Sequence, residues 1–436
     1  MNTESYWIKS APTPSFPQPT GDVEVDVLVV GGGIMGITAA YLAKLAGRSV
    51  ALIDRARVAT MDTGHTTAHL TAVVDTRFHE LQRRFGKDAA RGVWDAGMSA
   101  IDQIVGLIRR EGIECDFTWA PGYLHAPVRT VDPKGVNDLE KEADALRGLD
   151  IKATPMPEVP FFRVPGIRFP HQALFHPRKY LRALLAVIPG EGSHVFEQTN
   201  AEEFTDDPRG VVCSGKRIRA KYVILATHTP LMGNTGMMSA MAFQTKLSLY
   251  SSYAVAGKIP KSQHAPASFW DTSDPYDYLR IEARGDHGYA ILGGEDHKTG
   301  QVSDTEPRYR SLEQRLRQYF PGVTIDHRWS GQVIETNDGL PFIGETAEHQ
   351  FAATGFAGNG MTFGTLGAMM AVDQLLGRKN PWGDLFDIHR KKRVGGLWTY
   401  LAENKDYPYY MLRDRLARAD DKSYDAVENG EGKILS

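Results

Sequence analysis

The stretch VDVLVVGGGIMGITAAYLAKLAGRSVALID, residues 25–54, decides how this chain folds. Val25–Val30 (VDVLVV) is a short apolar run suited to a buried parallel strand. Gly31–Gly36 follows, then an Ala- and Leu-rich helix to about Ala46, with Gly47 where a helix C-terminal glycine belongs. Ser49–Ile53 reads as a second buried strand ending at Asp54, and no proline interrupts the unit. With 43 glycines in 436 residues the bare pattern Gly31-x-Gly33-x-x-Gly36 arises by chance roughly 0.4 times, so its flanks carry the weight. In that context the three glycines serve a tight turn, close approach of backbone to a pyrophosphate, and close helix–strand packing. The helix N-terminus offers unpaired N–H groups to phosphates, and Asp54 stands where an acid accepts bonds from an adenosine ribose. Residues 25–54 therefore predict a dinucleotide-binding βαβ unit.

Outward from this unit the pattern is mixed. His79–Arg110 has the apolar spacing of one long amphipathic helix or two in succession, and 135–149 is a charged helical stretch. Residues 151–170, rich in proline and aromatics, suggest an irregular connection or the edge of a second domain. Tyr180–Ile188 reads as helix and Lys221–Ala226 as another buried strand. From about Met241 to Thr299 the pattern turns to β, followed by a helix over Arg308–Phe320. A last glycine cluster, Gly355–Gly367, opens an apolar helix ending near Leu376. The run Arg390–Arg393 reads as a solvated helical face and the tail 420–436 as loose.

Composition bounds the function. A chain of this length favours two domains, and a net charge of −3 gives no electrostatic reason to expect nucleic acid or an anionic membrane as partner. No apolar run is long enough for a membrane span, and residues 1–20 make a poor secretory signal. Cys115 and Cys213 are too few for a disulfide framework, a Cys₄ zinc site or an ordinary iron–sulfur cluster, so no metal is expected. A cytoplasmic location fits these features. The cluster at 355–367 has different glycine spacing and no partner acid, so a single dinucleotide is expected, which argues against a reductase needing a second NAD(P)H fold.

Further segments carry a resemblance. TGHTTAHLT (63–71), ALFHPRKYLRALL (173–185), KYVILATHTP (221–230), NDGLPFIG (337–344) and FAATGFAGNGMTFGTLGAMMA (351–371) resemble the D-amino-acid-oxidase-like family of FAD enzymes. That family includes sarcosine oxidase, glycine oxidase and γ-glutamylputrescine oxidase, and the matching segments span residues 22–380. The resemblance implies an α/β fold: a Rossmann-type FAD-binding domain with a central parallel sheet, plus an α+β substrate domain on a largely antiparallel sheet. The expected FAD-binding parts are 21–90, 170–240 and 325–380, with 91–169 and 241–324 for substrate. Residues 1–20 are a lead-in and 381–436 a C-terminal helical extension and tail. GGEDHKTG (293–300) also resembles a bacterial branch that carries a C-terminal Rieske domain; the sequence stops at Ser436, and an iron–sulfur electron route is not expected.

The resemblance implies noncovalent FAD held by Gly31, Gly33, Ile34, Met35, Gly36, Asp54, Arg55, Thr63, His65, Thr66, Thr67, Ala226, Thr227, Gly331, Gly358, Asn359, Gly360, Met361 and Thr362. The helix opening near Gly358 would place its N-terminus toward the flavin pyrimidine. His65 lies near where some relatives tether flavin through histidine, one register off. The implied reaction is oxidation of a C–N bond by hydride transfer to flavin N5, imine hydrolysis and reoxidation by O₂ or a separate carrier. The expected substrate is a small N-substituted glycine of the sarcosine or iminodiacetate type, with an amine dehydrogenase for a polyamine conjugate, or a non-catalytic FAD subunit, as rivals. Arg280 in YLRI is the candidate carboxylate anchor because its fork suits a bidentate contact, with Tyr250, Tyr253, Trp329, His65, Thr362, His297 and Lys298 as further pocket candidates. The ordinary alternative for Arg280 is an exposed strand arginine paired with Glu282 or Asp277.

Overall fold

A computed structural model describes residues 3–128, 133–229, 246–260 and 265–390. The run beyond Arg390, the tail and the first part of the expected 241–299 β region lie outside the described residues. In chain order the first elements are α1 (Tyr6–Ser10), β1 (Val23–Val30), α2 (Ile34–Leu45), β2 (Val50–Ile53), α3 (Phe78–Phe85), α4 (Lys87–Glu111), β3 (Thr118–His125) and α5 (Pro133–Gly148). Then come β4 (Thr154–Met156), β5 (Gly166–Leu174), α6 (Pro177–Val187), β6 (His194–Phe196), β7 (Glu203–Asp206), β8 (Arg209–Cys213) and β9 (Lys216–Leu225). The last are β10 (Leu247–Pro260), β11 (Ala267–Asp271), β12 (Tyr278–Arg284), β13 (His287–Lys298), α7 (Glu306–Tyr319), β14 (Thr324–Thr336), β15 (Phe342–Ala347), β16 (Gln350–Thr354), α8 (Gly360–Leu375) and α9 (Gly383–Phe386).

Two sheets result. The first runs β15-β16-β9-β1-β2-β6, parallel from β16 to β6, with the β7–β8 hairpin joined to β9. Strand β1 is apolar over most of its length because both its faces are covered. Val27 and Val29 pack with α2 and α8 residues such as Ile37 and Leu366, while Leu28 and Val30 pack with Ile218 and Phe342. The second sheet runs β14-β10-β13-β12-β11-β3-β5-β4 and is antiparallel except for the parallel pair β11–β3. The expected helix from 79 to 110 divides at Gly86, whose φ of 93° ends α3 and starts α4. Residues 151–170 supply the edge strand β4 and the start of β5 in the second sheet.

Helix α4 lays its apolar face, with Val93, Ala100 and Ile104, into a core shared by α2, α6 and α8 and by Leu124 and Phe169 of the second sheet. Strand β14 pairs with β10 in the second sheet, so the return to the first sheet begins only at β15. Arg390 is not solvated; it donates to Asp338 Oδ1 at 2.7 Å and lies 4.1 Å from the Phe342 ring centroid.

The N-terminal segment straps the molecule. Trp7 is fully buried, its indole Nε1 donating to the Thr66 carbonyl at 2.7 Å, and the Ser5 hydroxyl donates to the Gly64 carbonyl. Arg178 of α6 donates to the carbonyls of Ala11 (3.0 Å) and Ala59 (2.5 Å), tying strap and loop to one helix. Truncating a buried tryptophan removes its contacts and leaves a cavity, so Trp7→Ala should lose about 3–5 kcal/mol in a urea melt. It should also open residues 62–69 to limited proteolysis, since that loop loses its strap-side hydrogen bond; an unchanged melt and cleavage pattern would refute the strap.

Candidate active site

A cavity of about 780 Å³ runs between the two sheets. Its first wall is the Gly31–Met35 turn. Gly31, at φ 108°, leaves β1 against β9, where a Cβ would run into the Ala226 carbonyl; a Cβ on Gly36 would run into the Gly31 carbonyl. These clashes explain two of the three glycines: close strand approach and close helix–strand packing. Gly33 is the N-cap of α2 and carries no capping side chain of its own. The Thr63 hydroxyl accepts from Ile34 N at 3.1 Å instead, which joins the 62–65 turn to the helix start. Asp54 Oδ2 accepts from Gly32 N at 2.6 Å and Oδ1 from Ala56 N at 2.7 Å, so the acid braces the glycine turn as well as lining the cavity. Burial pushes its carboxyl up, opposed by those two N–H donors.

The opposite wall is the start of α8. Gly358, Asn359, Gly360 and Met361 line the cavity. Asp75 Oδ2 accepts from Gly358 N at 2.7 Å, and Asn359 Nδ2 donates to the Val73 carbonyl at 2.8 Å. Gly364 and Gly367 let α8 press against α2 at Ile34 and Met35. The two glycine-led helices are thus packed on each other with both N-termini at one cavity. Each offers backbone N–H groups and the positive end of a helix dipole. This cradle fits a dinucleotide: a glycine turn where a Cβ is barred, a braced acid and a second helix start suited to negative charge.

Most expected residues meet here: Gly31, Gly33, Ile34, Met35, Asp54, Arg55, Thr63, His65, Thr66, Thr67, Ala226, Thr227, Trp329 and Gly331 all line the cavity. Trp329 Nε1 donates to the His65 carbonyl at 2.8 Å, so this ring holds the 62–69 loop as well as forming a wall. Gly36 and Thr362 lie behind the lining. Thr362 is buried with its hydroxyl donating to the Thr71 carbonyl at 2.8 Å, a brace for the loop rather than a pocket group. Tyr250 also lies outside the lining, because it sits beyond a bulge in β10, opposite Lys298. Tyr253 lines the cavity, with its hydroxyl 2.8 Å from His297 Nε2.

Arg280 requires a correction. It is 1 % exposed, absent from the lining, and paired with Glu282. Its guanidinium donates to the carbonyls of Thr67, Ala68 and Phe175 and lies 5.0 Å from the Trp7 ring centroid. The side chain points to the strap side of the 66–70 loop and holds that loop from behind, so it is no carboxylate anchor.

Sequence reasoning missed the far end of the cavity: His69, Asp75, Ser252, Trp270, Tyr276, Tyr278 and Asp296. The Tyr276 hydroxyl donates to Asp75 Oδ1 at 3.0 Å, and the Ser252 and Tyr278 hydroxyls are 2.6 Å apart. His69 is kept neutral, its pKa lowered to about 3 by burial and then by the Arg280 charge. A β-bulge explains why Asp296 was hard to find. Between Ser251/His297 and Tyr253/Gly294 the register shifts, and Glu295 takes a φ of 62°, so simple alternation does not give the facing side chains.

A glycine turn and a second helix start thus meet around one cavity suited to a dinucleotide. Residues 26–374 match the family described as DAO, FAD dependent oxidoreductase, and the chain belongs to that family. It is 30% identical over 443 residues to the Rieske-named protein YhfW of Bacillus subtilis (strain 168), covering 99% of this chain and 84% of that one. It is 25% identical over 437 residues to gamma-glutamylputrescine oxidoreductase of Escherichia coli (strain K12), covering 95% and 99%. The fold is shared with glycine oxidase from Geobacillus kaustophilus, at a TM-score of 0.69 and 16% identity over 86% of this chain and 100% of that one. The protein is therefore an FAD-dependent oxidoreductase. Among the described residues, no helix is long and apolar enough to cross a membrane.

Removing Arg280 takes from the buried Glu282 one of its two arginines, leaving Arg284, and frees the 67–68 carbonyls. Arg280→Met should lose about 3–5 kcal/mol of stability. Dialysis should strip FAD from the variant faster than from the wild type. A variant that keeps its melting point and its FAD but raises KM would restore the anchor role.

Proposed function

We propose that this chain oxidises the CH–NH bond of a small amine, giving an imine that water hydrolyses to an aldehyde and an amine, with O₂ reduced to hydrogen peroxide. The observation that supports it is the continuity of one cavity from the glycine turn to the aromatic end at Trp270, Tyr276 and Tyr278. FAD held here would supply the two-electron chemistry, hydride acceptance and transfer of the electrons to O₂, which is the cofactor's own. The residues at 31–35, 54–55, 63–67 and 226–227 would hold its dinucleotide part. The N–H groups from Gly358 to Met361 would face negative charge on the flavin. Trp270, Tyr276 and Tyr278 wall the aromatic end of the cavity against water. Tyr276 keeps its proton, its pKa raised well above the ordinary value by burial and by Asp75. Cys115 and Cys213 do not line the cavity, which supports noncovalent FAD.

The N-substituted-glycine version of this reading needs a carboxylate partner. Arg55 is the one Lys or Arg side chain among the described lining residues, and it neighbours Asp54 at the glycine-turn end. An amine without an obligatory carboxylate is therefore the better fit. A panel of alkylamines, diamines, sarcosine and iminodiacetate, added anaerobically to the yellow protein, should bleach the flavin with at least one amine. Air should then restore the colour with one peroxide per turnover. Slow recolouring in air with fast recolouring by an artificial carrier would mark a dehydrogenase, and no bleaching by any amine would end the proposal. Acid precipitation should release the FAD into the supernatant; yellow colour in the pellet would show a tether.

A further inference from the structure

We infer that the far end of the cavity selects amines bearing a second positive charge, with Asp296 as the residue that recognises it beside the rings of Trp270, Tyr276 and Tyr278. The inference rests on the amine-oxidising reading above and names the substrate class of that same cavity.

Charge balance makes the first argument. Among the described residues the cavity's acidic and strongly basic lining consists of Asp54, Arg55, Asp62, Asp75, Asp296 and Glu335: five carboxylates against one arginine. Residues 230–245, which follow Thr229 of the lining, contain no charged residue in sequence. A substrate carboxylate has no cationic partner among the described residues at the aromatic end, whereas an ammonium group has both acids and ring faces.

The second argument singles out Asp296 among its acidic neighbours. Asp75 is committed to Gly358 N and the Tyr276 hydroxyl. Arg315 lies 3.4 Å from Asp277 and 2.8 Å from Glu295, and Arg308 lies 3.2 Å from Glu295. Asp296 has no ion-pair partner among the described residues. Its Oδ1 is shut off from solvent with no hydrogen-bond partner, and Ser252 is its side-chain hydrogen-bonding neighbour. Beside the bulge, Asp296 lines the cavity while its neighbour Glu295 pairs with the arginines. A buried carboxylate oxygen without a donor is unfavourable, and a bound ammonium would satisfy it.

The third argument is the environment's effect on titration. Burial foremost, then the charges of Asp75, Asp277 and Glu295, push the Asp296 carboxyl up to about 6, while Ser252 opposes the rise. Of the other titratable groups on this wall, His69, Tyr276 and Tyr278 are uncharged near neutrality, which leaves Asp75 as the second carboxylate facing Asp296. A cation lowers the carboxyl's pKa, so binding below that value must displace a proton and weakens as pH falls.

The test uses the FAD-loaded protein reduced with dithionite, in which no turnover occurs. Calorimetry should show 1,4-diaminobutane binding roughly 10–100-fold more tightly than butylamine at pH 8, the range for a charge-assisted contact. Its affinity should fall as pH is lowered through about 6. Asp296→Asn should remove most of the preference and Asp296→Glu should keep part of it. If the Asn variant fails to hold FAD, the pH profile and the diamine-to-monoamine ratio of the wild type decide. Equal affinities for diamine and monoamine, or tighter binding of sarcosine than of the diamine, overturn the inference. Amine bleaching without charge preference would sink the selection alone. Diamine binding with no bleaching by any amine would sink the oxidation reading and leave the selection standing.

Discussion

The buried guanidinium of Arg280 is the contact on which the site depends. It leaves β12 of the second sheet and reaches the carbonyls of Thr67 and Ala68 on the cavity loop and of Phe175 at the end of β5. Trp7 of the strap covers it, and Glu282 balances it. Glu282 also meets Arg284, which pairs with Asp116 and lies 5.3 Å from the Tyr6 ring centroid. A charged chain therefore ties the second sheet to the strap. The loop 62–70 has little regular structure of its own, so its carbonyls need such partners. An arginine supplies several donors from one rigid plane, which a lysine would not.

Behind that loop, the first sheet and its helices follow ordinary rules and were legible from residues 25–54. A mostly apolar strand, glycines at fixed offsets and an acid at the next strand's end are local signals, and local geometry realises them. The helix start at Gly360 was legible for the same reason. Arg280 was not. Its sequence neighbourhood, YLRI, fits an exposed pairing, a substrate contact or a buried hub equally well. The choice among them depends on Trp7 and Thr67, hundreds of residues away in sequence. Asp296 was obscured differently. GGEDHKTG offers an acid, a histidine and a lysine in a row, and which one faces the cavity depends on a one-residue register shift against β10. Period-two reasoning fails at a bulge, and bulges concentrate next to sites.

The division of labour between the sheets follows from these constraints. The parallel sheet ends in glycine turns and helix starts, whose N–H groups suit an anionic dinucleotide. The antiparallel sheet brings side chains instead: rings from β11, β12 and the turn before it, and a carboxylate from β13 facing that of the 71–75 segment. Their outputs have opposite sign. Backbone dipoles at one end favour negative charge, while Asp75 and Asp296 at the other favour positive charge.

Asp75 stands at the junction of the two. Its carboxylate takes the Gly358 N–H at the approach to α8 and the Tyr276 hydroxyl together, so one side chain joins the dipole of the helix to the aromatic wall. Withdrawing that carboxylate would leave Gly358 N without its acceptor and Tyr276 free to rotate, loosening both ends of the cavity at once. A residue that braces the cofactor side and shapes the substrate side has little freedom to be a selective contact for either. Asp296, with an oxygen bound to nothing, keeps that freedom, and this asymmetry between two neighbouring carboxylates assigns the structural role to Asp75 and the recognition role to Asp296.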